Sequence, residues 1–231
     1  MMGSGCRKQE EGRSSELLWS SVLTLTIIGL SQRAGAQAPF PVGKRASLRI
    51  TLRMYNYSIS HDLLNRSEGE ASAILHQTGL EVDWVDCPLT ADELESYPAC
   101  REPLGAADFA VKILNAKEAK QLSKRRGVLG RALECPSVQI GCSAYLFYKD
   151  VPELAKRAGV SEAQLLGHAL AHEIGHLLLG PNSHSASGVM RSNWQQQELQ
   201  RLSQSFLIFT EEQSRLMQDE VSARNKPRKT Y

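Results

Sequence analysis

The sequence predicts an α+β domain: a twisted mixed sheet of about five strands with one central helix and one C-terminal helix. Short stretches of apolar and polar alternation recur through the first two thirds of the chain. Helical spacing with recognisable caps marks two long segments in the second half and one between the first two strands. The pattern near residue 170 dominates the rest, because it collects three histidines and a glutamate on and just beyond one helix.

In residues 47–57, Leu48, Ile50, Leu52 and Met54 occupy alternate positions, which predicts a half-buried first strand. A helix over 60–78 follows. Ser60 is its cap, Leu63, Leu64, Ala71, Ile74 and Leu75 share a face, and Gly79 ends it. Residues 80–87 read as the second strand, and 88–107 as a turn-rich connection containing Pro98, Pro103 and Gly105. The third strand is expected over 108–115, a short helix over 116–124, the fourth strand over 128–133 and the fifth over 144–148. A helical turn at 152–158 stops at Gly159. Ser161 then caps the central helix, which runs to about Leu179 and ends at Gly180-Pro181. The last helix, 210–223, starts at Thr210, with Glu211 and Glu212 complementing the helix dipole.

The N-terminus reads as a secretory signal over residues 1–36. Arg7, Lys8 and Arg13 precede an apolar run at 17–30 that is short for a membrane span, and Ala34-Gly35-Ala36 supplies a small-residue cleavage site. An uncleaved anchor is the competing reading. Residues 37–231 are then one domain, secreted or extracytoplasmic, with no membrane span in the mature chain. Hydrophobic residues make up 42% of the 231, enough for a single core. The net charge of +2 speaks against a nucleic-acid partner, and the basic stretch at 224–229 reads as a solvated tail. Cys6 departs with the signal, and Cys87, Cys100, Cys135 and Cys142 remain. An even number in an exported chain predicts two disulfides. Cys87–Cys100 and Cys135–Cys142 close the shortest loops; a four-thiolate zinc site is the weaker reading, because no C-x-x-C pair is present.

The chemistry is concentrated in His172-Glu173-Ile174-Gly175-His176. Residues four apart share a helix face, so His172 and His176 can hold one metal ion. Glu173 is turned aside from the pair and can act as general base on a water beside the metal. A hydrolytic zinc site needs a third protein ligand and one open position. His184 is the nearest candidate, since Gly180 lets the backbone leave the helix sharply; Glu198 is the second candidate. His168 reads as a partly buried structural histidine and Trp194 as a core anchor. Tyr145 and Tyr148 read as packing residues, with donation to an oxyanion as the weaker reading.

This stretch, H-E-I-G-H-L-L-L-G-P-N-S-H-S with Met190 in S-G-V-M, resembles the metzincin signature, H-E-x-x-H-x-x-G-x-x-H followed by a Met-turn. The resemblance implies a metzincin-like catalytic domain and one Zn2+ held by His172, His176 and His184. It also implies Glu173 as catalytic base, Gly180 as the turn glycine and Met190 in the Met-turn. The substrate would be a peptide or protein; the pattern carries no information on oligomeric state or cleavage preference. The chain departs from the signature in having three residues before Gly180 and three after it, and in having Ser192 two residues after Met190, where some metzincins carry a Tyr. Two functions follow: a zinc-dependent endopeptidase, or a zinc-binding or interaction module with the same fold and no peptidase activity. The intact Glu173 favours the first, because pure binding needs no base at that position.

Overall fold

Strand β1, Leu48–Asn56, is the second strand of a five-stranded sheet in a computed structural model that describes residues 48–122, 127–133, 141–204 and 207–226. With β2 (Leu80–Asp86), β3 (Asp108–Leu114), β4 (Gly130–Ala132) and β5 (Cys142–Phe147), it gives the order β2-β1-β3-β5-β4. The pairings of β1 with β2, β1 with β3 and β3 with β5 are parallel. Only the edge strand β4 runs antiparallel, against β5. The mixed five-stranded sheet expected from the alternation is therefore present, in a mostly parallel form. Parallel neighbours require crossovers, and α1 (His61–His76), between β1 and β2, supplies one.

The even-numbered residues of β1 explain its alternation. Ile50, Leu52 and Met54 share one buried cluster with Phe109, Val111 and Ile113 of β3 and Ala144 and Leu146 of β5. The same cluster contains Leu64, Ala71 and Leu75 of α1 and Leu166, Leu170 and Ile174 of the long helix α6 (Glu162–Leu179). Both helices therefore cover the same face of the sheet. They approach so closely that a Cβ added at Gly167 would fall 2.8 Å from the Ser67 carbonyl oxygen. The last helix, α8 (Glu211–Arg224), is tied to the loops that lead into β2 and β3: Gln218 donates to the Thr78 carbonyl at 2.7 Å, and Arg224 to that of Ala106 at 2.8 Å.

Three helices were not foreseen from the sequence. The connection expected to consist of turns contains α2 (Ala91–Leu94), capped by Thr90, and α3 (Pro98–Arg101). A disulfide between Cys87 and Cys100 closes this connection, as expected. Helix α7, Gln196–Ser203, lies between the H-E-x-x-H stretch and α8. The short helices α4 (Ala116–Leu122) and α5 (Val151–Ala158) fall where the sequence places them. Cys142 is not a free thiol, while Cys135, its expected partner, and the expected signal segment lie outside the described residues. The described residues belong to one unit, Gly43–Tyr231, and none of their helices is long and apolar enough to cross a membrane.

Candidate metal centre

Helix α6 begins with a full capping box. Ser161 Oγ accepts from the Gln164 N–H at 3.1 Å, and the Gln164 side chain accepts from the Ser161 N–H at 3.0 Å. Three turns further on, His172 and His176 project from one face, with their Nε2 atoms 3.1 Å apart. Gly180 ends the helix at φ 94°, ψ 173°, a conformation that only glycine adopts without strain. The longer spacing around it is absorbed in two steps. Leu179 completes the helix, and residues 180–183 turn back, held by a 2.7 Å bond from Ser183 Oγ to the Gly180 carbonyl. His184 Nε2 thereby arrives 3.1 Å from His176 Nε2. The three donor nitrogens lie within 4.8 Å of one another.

The outer ring nitrogens set the tautomers. His172 Nδ1 donates to the Val189 carbonyl at 2.7 Å, and His176 Nδ1 lies 3.2 Å from the Gly180 carbonyl and 3.0 Å from Ser183 Oγ. A carbonyl only accepts, so Nδ1 carries the proton and Nε2 presents a lone pair. Burial, reinforced by the neighbouring His176 and His184, lowers the His172 pKa to about 4, and burial likewise lowers that of His176. Both rings are thus neutral at pH 7. Lone pairs 3.1 Å apart repel unless a cation lies between them. Two nitrogens bound tetrahedrally to one zinc at 2.0–2.1 Å stand roughly 3.3 Å apart, close to the separations here. The donor set fits zinc by identity, tautomer and spacing.

Glu173 follows the first histidine on α6 but reaches a different neighbour. The residue is 5% exposed, and its Oε2 has no hydrogen-bond partner among the described residues. It sits beneath β4: a Cβ added at Gly130 would fall 2.5 Å from Glu173 Oε1, and the Ala132 backbone donates to the carboxyl. Burial raises the Glu173 pKa to about 8, against the opposing effect of the Ala132 bond. His172, Glu173, His176 and His184 all line a cleft of about 1060 Å³ bounded by β4 and by residues 191–194.

Met190 is fully buried against the same helix turn. A Cβ on Gly175 would meet its sulfur and fall 2.8 Å from Phe209 Cε1, which explains the glycine inside the motif. The segment carrying Met190 is fixed by bonds from the Ser185 N–H to the Met190 carbonyl and from the Val189 N–H to the Ile208 carbonyl, both 3.0 Å.

Glu198 lies apart from the three histidines. Its Oε1 receives Arg191 and its Oε2 the Gln195 N–H at 2.9 Å. Glu198 is buried, and it is not the third member of the histidine cluster. His168 is buried, as expected, and donates through Nδ1 to the Gln164 carbonyl at 2.8 Å. Trp194 packs partly buried against the core and also lines the cleft, where its Nε1 donates to the same Val189 carbonyl that holds His172. The Tyr148 hydroxyl is committed to Glu162, and neither Tyr148 nor Tyr145 lines the cleft. Sequence reasoning missed the Arg191–Glu198 pair and the seat of Glu173 under β4. A buried-acid signal for Glu198 was present only as its i+7 spacing from an arginine, which is too common to notice.

No family model matches the chain, and no curated protein matches it. Among solved structures, the chain is similar to the crystal structure of an archaemetzincin from Methanopyrus kandleri, with 18% identity and a TM-score of 0.45 over 77% of this chain and 98% of that chain. At that score the likeness assigns no chemistry to this chain.

Proposed function

We propose that the chain is an exported zinc-dependent peptidase with a metzincin-like catalytic domain. One observation carries this reading: three imidazole Nε2 atoms converge in an open cleft that also contains a buried carboxyl with an unpartnered oxygen. His172, His176 and His184 would hold the ion, and the Val189, Gly180 and Ser183 contacts keep the first two rings turned for it. Bound zinc supplies Lewis-acid polarisation and lowers the pKa of water at its open position towards neutrality. Glu173 accepts the proton of the attacking water and passes it to the departing amine. Its Oε2, without a hydrogen-bond partner among the described residues, is the atom left to take that proton.

A peptide is favoured over other carbonyl substrates by β4. This strand is paired with β5 along one side only, and it lines the cleft. An extended chain can add to such an edge through backbone hydrogen bonds. Export is supported by the signal-like residues 1–36 and by the Cys87–Cys100 disulfide, which is rare in reducing compartments. A binding module without activity would leave the buried Glu173 Oε2, which has no partner among the described residues, without a role.

The test is hydrolysis of a mixed peptide pool by the zinc-loaded chain beside Glu173→Ala of equal zinc content. The expected loss is roughly 10²–10⁴-fold. Equal rates in the two proteins would remove Glu173 from the mechanism, and no hydrolysis by the parent would refute the peptidase reading.

A further inference from the structure

One wall of the cleft is formed by residues 191–194, directly after Met190. Arg191 carries an ion pair to Glu198 on α7. The two side chains differ sharply in exposure: Glu198 is 3% exposed and Arg191 31%. Glu198 has nothing left to offer a ligand, because one oxygen is taken by the guanidinium and the other by the Gln195 N–H. Burial alone would raise its pKa, but the Gln195 bond and the Arg191 charge outweigh that effect and hold it ionised. Arg191 is in the opposite state. A guanidinium has five N–H donors in a planar fork, and among the described residues its only side-chain partner is Glu198. Its backbone is pinned as well, with the Arg191 N–H bonded to the Gly188 carbonyl at 3.2 Å.

The sign of the preferred ligand follows from the other charges in the cleft. Among the described residues two carboxyls line it, Glu173 and Glu220. Glu220 is committed to Arg224 at 2.9 Å, and Glu173 is buried beneath β4. A cationic group entering beside Arg191 finds no free carboxylate there among the described residues. An anionic group completes the guanidinium fork, for which a carboxylate has the matching two-oxygen geometry. A buried carboxylate behind an arginine orients the fork before the ligand arrives, which lowers the ordering cost of binding.

We propose that Arg191 is a specificity-determining residue that binds a carboxylate of the substrate, with Glu198 as its positioning residue. This rests on the peptidase reading for the identity of the substrate, and on the Arg191–Glu198 geometry for the carboxylate. The carboxylate belongs either to an acidic side chain near the scissile bond or to the free C-terminus of the peptide.

Three peptides of one sequence separate these sources: a blocked peptide with Glu, its Gln counterpart, and the Gln peptide with a free C-terminus. The zinc-loaded parent is expected to favour one carboxylate-bearing peptide in kcat/KM by roughly tenfold over the blocked Gln peptide. Arg191→Gln brings that ratio to about one, and Arg191→Lys retains part of it, because an ammonium supplies charge without the fork. Glu198→Gln reduces the ratio through KM for the carboxylate-bearing peptide, with kcat little changed. Comparing ratios within one variant divides out any loss of folded protein. A parent without a carboxylate preference, or a preference unaltered in Arg191→Gln, overturns the proposal and leaves the pair as a clasp between the cleft wall and α7. If the parent cleaves none of the three, that failure falls on the peptidase reading. Calorimetric titration of the same peptides into the parent and Arg191→Gln then decides the carboxylate site, and absence of Arg191-dependent binding overturns it.

Discussion

His184 and Glu173 divide the site between a residue that the chain must bring in and one that it must bury. His184 comes from beyond the helix, and its approach to His176 depends on the turn at Gly180 and the Ser183 bond. His184→Ala leaves two imidazoles. Zinc affinity measured by competition with a chromophoric chelator is expected to fall by more than the roughly 10–100-fold typical of losing an outer hydrogen bond, which is the range expected for Ser183→Ala. A second buried acid makes a separate prediction. Glu68 on α1 has an Oε1 without a partner among the described residues, and burial, with help from Asp86, raises its pKa from 4.5 to about 7. The folded chain therefore holds a proton that the unfolded chain releases between these values. This contribution to stability is fully present below pH 4.5 and is lost as pH rises through about 7. Urea denaturation should show stability falling across that window in the parent, with a shallower fall in Glu68→Gln; identical slopes would contradict it.

At the scale of elements, α6 was the most legible part of the sequence and α7 among the least. The capping box at Ser161, the histidines four apart and the glycine stop are all local signals, and local signals survive into the structure. Gly167 is different. Its role depends on the Ser67 carbonyl and Glu70 on another helix, and nothing near Gly167 in the sequence announces that contact. Gly167→Ala would raise helix propensity yet force α1 and α6 apart. A net destabilisation of about 1–3 kcal/mol is expected by urea denaturation; a stabilised variant would show that the interface yields at no cost. The strand β4, three residues long, falls inside the 128–133 expected, but nothing local announces that it covers Glu173. Helix α7 escaped notice because residues 196–203, QQELQRLS, are mostly polar and only Leu199 and Leu202 reach the core. The helices α2 and α3 were hidden by the prolines that marked their segment as turns, although Pro98 stands at a helix start, where proline is well tolerated.

Across the whole molecule, the three-histidine cluster joins parts that the fold otherwise holds separately. α6 contributes two donors, the loop after Gly180 the third, and the segment around Val189 the bond that orients the first. Zinc that binds the folded chain and not the unfolded one stabilises all of them together. At a free zinc concentration about a thousandfold above Kd, the gain is roughly 4 kcal/mol. Chelation should lower the melting temperature of the parent and leave that of a His172→Ala/His176→Ala variant unchanged; equal shifts in both would place the stabilising metal elsewhere. The strands and the buried face of β1 could be approached from alternation alone, whereas the cleft could not. Its walls come from β4, residues 191–194 and α6, which meet only in three dimensions.

X-ray absorption at the zinc edge on the chain loaded with one equivalent of zinc tests the central claim most directly. Three imidazole nitrogens at about 2.0–2.1 Å with one further light-atom ligand are predicted, falling to two imidazoles in His184→Ala. Sulfur scattering, two imidazoles in the parent, or an unaltered spectrum in His184→Ala would contradict it.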